Sequence, residues 1–141
     1  MTGYIDPTKE TFGQFKDLPR DKPIHMLNLV KLREKAAYPD GRESSGLDAY
    51  RSYARESGPV FKRLGGTQFW VGKPELMLIG PTDELWDLVF IAEYPSGQAF
   101  IDMLRDPVYR EAVKHRQAAV SDSRLLRLSP GVAGETFGEA H

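Results

Sequence analysis

Between Ile24 and Arg33 the chain reads IHMLNLVKLR. Ile24, Met26, Asn28, Val30 and Leu32 fall on one side of an extended chain; His25, Leu27, Leu29, Lys31 and Arg33 fall on the other. Apolar residues hold most of both sides, which predicts a central strand covered on each face. LWDLVFIAEY, residues 85–94, predicts a second such strand. Between the two, Leu47, Tyr50, Ala54, Ser57, Phe61 and Leu64 recur at helical spacing behind Ser44 or Ser45 as cap. Gly58-Pro59 predicts a kink or break in that helix, and Gly65-Gly66 a left-handed stop. TQFWVGKPELMLI, residues 67–79, reads as a strand bent or split at Gly72-Lys73-Pro74, with Gly80-Pro81-Thr82-Asp83 as the turn of a hairpin. Ser96 then caps a helix that buries Phe100, Met103 and Leu104. Asp106 and Pro107 restart it as a longer helix carrying Val108, Tyr109, Ala112, Val113, Arg116, Ala119 and Val120. RLLRL, residues 124–128, is the last strand.

The order is β-α-β-β-α-β, the ferredoxin-like layout of the α+β class: an antiparallel sheet with both helices on one face. Its first and third strands are central, and those are the two that are apolar on both sides. Two helices cover one face only, so the apolar residues of the other face predict a second copy of the same sheet, a homodimer. Three segments follow: an N-terminal arm (1–23) with a short helix from Thr8 to Lys16, whose Phe12 and Phe15 can staple it to the body; a ferredoxin-like domain (24–129); and a Gly- and Ala-rich tail (130–141), loosely attached.

Composition narrows the function. With 19 basic and 20 acidic residues there is no net field to gather nucleic acid or an anionic membrane. RNA-recognition modules share the layout but need stacking aromatics on the first and third strands, and IHMLNLVK has none. The chain has no cysteine, which removes disulfides and thiolate chemistry. His25, His115 and His141 show no metal spacing, so neither metal nor cofactor is expected. The polar N-terminus and short apolar runs predict a cytoplasmic protein that does not cross a membrane.

MLNLVKLREKAAYPDGRESSG, DAYRSYARESGPVFKRLGG and the run from Trp86 to Leu126, with its YPS…F…M..DP.Y…..HR pattern, resemble domain-of-unknown-function family 1330 across residues 24–128. That family resembles the dimeric α+β barrel superfamily, in which two ferredoxin-like protomers pack sheet to sheet. Relatives there include cofactor-free quinone-forming monooxygenases, muconolactone-type isomerases and haem-dependent peroxidases. The resemblance implies a fold and a dimer more firmly than a reaction.

Asn28 is the sharpest anomaly, an amide between Met26 and Val30 on an apolar face. A buried amide must be hydrogen-bonded, either to a tyrosine such as Tyr50 or Tyr53 or to a ligand carbonyl or hydroxyl. Tyr50 lies in the buried stripe of its helix and Tyr53 on the flank of it; core packing is the expected role of both, with a pocket role as the alternative. Trp70, Trp86 and Phe90 suit pocket walls or a sheet-to-sheet interface. His115, beside the buried stripe, is the candidate general base, with a structural histidine as the alternative. Arg116 can hold a ligand carboxylate or pair with Asp87 or Glu93. Arg33 and Tyr38 open the loop over 34–46, a lid or an ordinary surface turn. The expected function is binding of a small carbonyl-bearing or aromatic metabolite. In a cofactor-free enzyme of monooxygenase or isomerase type, Asn28, His115 and Tyr53 would be catalytic. The alternatives are a non-catalytic or stress-related ligand-binding dimer, and a structural dimer without a pocket.

Overall fold

The computed structural model describes residues 3–138 and is α+β. Its elements are α1 (Lys9–Asp17), β1 (Ile24–Leu32), α2 (Gly46–Arg63), β2 (Thr67–Gly72), β3 (Leu88–Tyr94), α3 (Gly97–Arg105), α4 (Pro107–Ala119) and β4 (Val120–Leu128). The four strands form one antiparallel sheet in the order β2-β3-β1-β4, so the two strands apolar on both sides are indeed the central pair.

Register sorts the side chains. Asn28 lies opposite Phe90 and Leu125, and Met26 opposite Ala92 and Arg127, so these residues share one face with Ile24, Val30 and Tyr94. That inner face meets the helices, and its buried members Ile24, Met26, Ala92 and Tyr94 join Val60, Phe100, Met103 and Tyr109 in the larger core cluster. The outer face carries His25, Leu27, Leu29, Val89, Ile91, Trp70 and Leu126. Trp70 and Leu126 are about half exposed there. Gly72 shares this face because the Trp70 ring lies across it; a Cβ at Gly72 would stand 2.5 Å from the ring.

The caps follow the sequence closely. Ser45 accepts from the Asp48 N–H, Ser96 from Ala99, and Asp106 from Val108 and Tyr109, with Pro107 in the first turn of α4. Gly65 closes α2 at φ +87°: its N–H bonds the Lys62 carbonyl, and the Gly66 N–H reaches back to Phe61.

Other boundaries depart from expectation. α2 runs unbroken through Gly58-Pro59. Packing against α4 holds it there, and the Ser57 hydroxyl bonds the Tyr53 carbonyl at 2.7 Å. Its buried positions are Gly46, Ala49, Ser57 and Val60, whereas Leu47 and Ala54 are exposed. β2 ends at Gly72 rather than 79, because Lys73-Pro74 takes the chain out of the ladder. Residues 73–87 form no strand, and Leu76, Leu78 and Ile79 stand in the open. β3 consequently begins at Leu88, which leaves Trp86 outside the sheet; β2 and β3 still pair, with Ile91 opposite Trp70. β4 begins at Val120, directly from α4, earlier than its apolar run predicts.

The arm is fastened to the body. Asp122 accepts the Tyr4 N–H at 2.9 Å, and the Ser123 hydroxyl donates to the Tyr4 carbonyl at 2.6 Å. Arg116 donates to the Ile5 carbonyl, and Arg127 to the carbonyls of Phe15 and Pro19. Phe15 of α1 packs on Phe100 with ring centroids 5.0 Å apart.

Candidate functional site

α2 and α4 pack side by side over the inner sheet face, and a half-open cavity of about 1140 Å³ lies between them and the sheet. The inner sheet face supplies its floor, with Asn28 and Phe90 adjacent across β1 and β3. Tyr50 and Tyr53 hang from α2, Tyr109 and Arg116 from α4, and Phe12 and Phe15 of the arm form a side wall. The walls are mainly apolar with a few convergent polar groups, the usual make-up of a ligand site.

Asn28 does not bond a tyrosine. Its Nδ2 donates to the Met26 carbonyl of its own strand at 3.0 Å, its one side-chain bond among the described residues. The amide oxygen and the second N–H remain for whatever occupies the cavity. Tyr53 instead shares a 2.8 Å hydrogen bond with the Tyr109 hydroxyl, and its ring lies 5.4 Å from Tyr50. Burial pushes the pKa of Tyr50, Tyr53 and Tyr109 up, against a smaller opposing pull from Arg116. All three therefore stay protonated at neutral pH and present hydroxyl donors.

Arg116 pairs with neither Asp87 nor Glu93. Besides the Ile5 carbonyl it donates to the Ser123 hydroxyl at 3.2 Å. Asp87 accepts the Leu32 N–H at 2.7 Å, and Glu93 lies 2.7 Å from His25 on the outer face.

His115 is elsewhere. Its Nδ1 bonds the Tyr38 hydroxyl at 2.6 Å and its Nε2 lies 2.9 Å from Glu56, in a separate hollow of about 460 Å³ under the loop that follows β1. Tyr38 thereby pins that loop to α2 and α4, with Arg42 over its ring at 4.3 Å. Arg33 lines neither hollow, and its Nε is buried without a hydrogen-bond partner among the described residues. Trp70 lies on the outer sheet face; Trp86 sits under the Arg124 guanidinium, 5.2 Å away. Of the expected residues, the cavity thus gathers Asn28, Tyr50, Tyr53, Phe90 and Arg116 and leaves out His115, Tyr38, Arg33, Trp70 and Trp86.

Tyr109, Ser123 and the arm are additions. Tyr109 stood in the α4 stripe, where only its hydroxyl hinted at more than packing. Nothing in the sequence placed Ser123 beside Arg116. Among the described residues no cluster of three or more His, Asp or Glu is arranged to hold a metal ion, and no helix is long and apolar enough to cross a membrane.

The chain matches the Domain of unknown function (DUF1330) over residues 44–127, a shorter span than the resemblance read from the sequence. RPA0582, a protein of unknown function from Rhodopseudomonas palustris, is similar at 69% identity and a TM-score of 0.88, over 92% of this chain and 98% of that one. The methylated RPA0582 protein is similar at 66% identity and a TM-score of 0.92, over 99% and 100%. SnoaB, a cofactor-independent oxygenase from Streptomyces nogalater, is similar at 17% identity and a TM-score of 0.48 over 84% of this chain and 99% of that one, too distant a likeness to bear on chemistry. No curated protein matches.

Proposed function

We propose that this chain, which belongs to the DUF1330 family, binds a small, largely apolar metabolite between its sheet and its helices. The observation that carries this reading is the cavity itself: about 1140 Å³ of space where a structural domain would be filled, with Asn28 half-satisfied at its floor. The occupant carries a carbonyl or hydroxyl that Asn28 orients, and Phe90 and Phe15 flank its apolar body.

Binding is favoured over turnover. The tyrosines are donors, and His115, the expected base, faces another hollow. A cofactor-free enzyme built on this site would use Asn28 to polarise a carbonyl and Tyr53, backed by Tyr109, to supply a proton.

A second copy of the chain completes the assembly as a homodimer. The outer face presents Leu27, Leu29, Val89, Ile91, Trp70 and Leu126 to whatever lies beyond the sheet, and a contiguous apolar face of this kind marks an association surface.

The test is a melting-temperature and calorimetric titration with neutral aromatic ketones and alcohols, acetonaphthone and naphthol as probes. Wild-type protein should be stabilised by at least one probe. Asn28→Leu should melt no lower than wild type, since it removes a half-paired amide, yet bind roughly tenfold or more weakly. If Asn28→Leu lowers stability and leaves the affinity of a bound probe intact, or if no small aromatic probe, neutral or charged, binds, the reading fails.

A further inference from the structure

We propose that the ligand of this cavity is an anion, a carboxylate or an equivalent enolate, and that the Arg116 guanidinium receives its charge. This deepens the small-molecule reading and rests on it.

The cavity walls carry five basic side chains and two acidic ones, Asp6 and Asp87. Most of the basic groups are already engaged. Arg51 pairs with Asp48, Arg124 with Asp122 and Glu84, and Arg127 covers the carbonyls of Phe15 and Pro19 with its plane 4.5 Å from the Phe15 ring. Lys73 lies exposed at the rim. Arg116, like Arg127, is half-buried, takes part in none of the ion pairs among the described residues and bonds only neutral oxygens, here the Ile5 carbonyl and the Ser123 hydroxyl. What sets it apart is that its charge acts on all three tyrosine hydroxyls of the cavity, Tyr50, Tyr53 and Tyr109, whereas Arg127 lies against the Phe15 ring.

A guanidinium has five N–H donors in a planar fork. Two are used, and the two acidic side chains of the wall are turned to other partners, Gln117 for Asp6 and the Leu32 N–H for Asp87. A cation taken partly out of water with no counter-charge is costly, and a planar fork matches a carboxylate. The hydroxyls of Tyr50, Tyr53 and Tyr109 border the same space; one proton of the Tyr53–Tyr109 pair is used between them, which leaves two hydroxyl donors beside the guanidinium for an anion. Ser123 and Ile5 hold the guanidinium in place, which leaves little ordering to be done when the anion arrives.

The experiment compares an acid with its isosteric amide, naphthoate and naphthamide, on the full chain by calorimetric titration near neutral pH. Wild-type protein should bind naphthoate at least roughly tenfold more tightly than naphthamide, the preference of a charge-assisted over a neutral contact. Arg116→Gln should erase that preference. Because Arg116 also holds the arm, Arg116→Gln can loosen the fold; Arg116→Lys disturbs the same anchorage but keeps the charge, and should retain a preference for the acid. Equal binding of acid and amide to wild type overturns the anionic assignment and leaves the small-molecule reading intact. Loss of the preference in Arg116→Lys as complete as in Arg116→Gln overturns the role of the charge. Binding of neither probe, nor of the neutral ketone, overturns both.

Discussion

At position 28 an amide stands where the period-2 pattern of β1 asks for an aliphatic side chain. That interruption was visible in the sequence, because a single polar residue between Met26 and Val30 has no local reason to be there. Its partner was not visible: the expected tyrosine bond is replaced by a contact with the Met26 carbonyl of its own strand. The exchange of roles between His115 and Arg116 has a geometric cause. Neighbours on a helix point about 100° apart, so a small rotation of the inferred stripe sends one into the cavity and the other out of it.

Two pH limbs follow from individual residues. Burial pushes Tyr50, Tyr53 and Tyr109 up, so the stability they contribute is complete below the ordinary tyrosine pKa of about 10 and is lost as pH rises through their raised values. Thermal midpoints should therefore fall above about pH 10, and the share of tyrosinate absorbance that belongs to Tyr50, Tyr53 and Tyr109 should appear only as the protein unfolds. Tyr53→Phe combined with Tyr109→Phe should flatten that fall. Burial also pushes the Asp122 carboxyl up, but the Tyr4 N–H and the Arg124 guanidinium outweigh it and hold it below its usual value. Its contribution is present above an aspartate's ordinary pKa of about 3.9 and disappears as pH falls through the lowered one. Asp122→Asn should accordingly melt lower than wild type at neutral pH and converge with it in acid.

At the scale of elements, caps and stops were the most readable features, because each depends on a few adjacent residues. Ser45, Ser96, Asp106 and Gly65 all act as their local chemistry dictates. Asp106→Ala removes the acceptor for the Val108 and Tyr109 N–H groups and should destabilise the fold, read as a lower urea midpoint at unchanged slope. Elements that rely on distant partners were less readable. Gly58-Pro59 looked like a break until α4 lay against it. Val120-Ser121-Asp122-Ser123 lacks an apolar run, yet pairs with β1 as an edge strand. TQFWVGKPELMLI reads as a strand bent or split at Gly72-Lys73-Pro74; the first half is β2, and the half beyond Pro74 finds no partner strand among the described residues.

For the whole molecule, layout and strand order were legible, since the two doubly apolar strands could only be central. The cavity was not, because volume is a sum over many side chains and has no signature in any one segment. The proposed homodimer makes a further prediction. Ile91→Glu with Leu126→Glu puts charge on the outer face without touching the cavity, and should convert a dimer to monomer in sedimentation velocity while raising Trp70 accessibility to a fluorescence quencher. A wild-type chain that sediments as a monomer at micromolar concentration would refute the pairing.

The arm's hydrogen bonds at Tyr4, Ile5, Phe15 and Pro19 are made through main-chain atoms, gripped by side chains of α4 and β4, while the Phe15 ring packs on Phe100. The polar half of such a clasp reads the path of the tether and ignores its spelling, and only the ring at Phe15 ties it to one residue type. A replacement at Pro19 that keeps the backbone course should leave the arm seated, whereas trimming one gripping residue should let a length of wall swing outward and widen the mouth of the chamber.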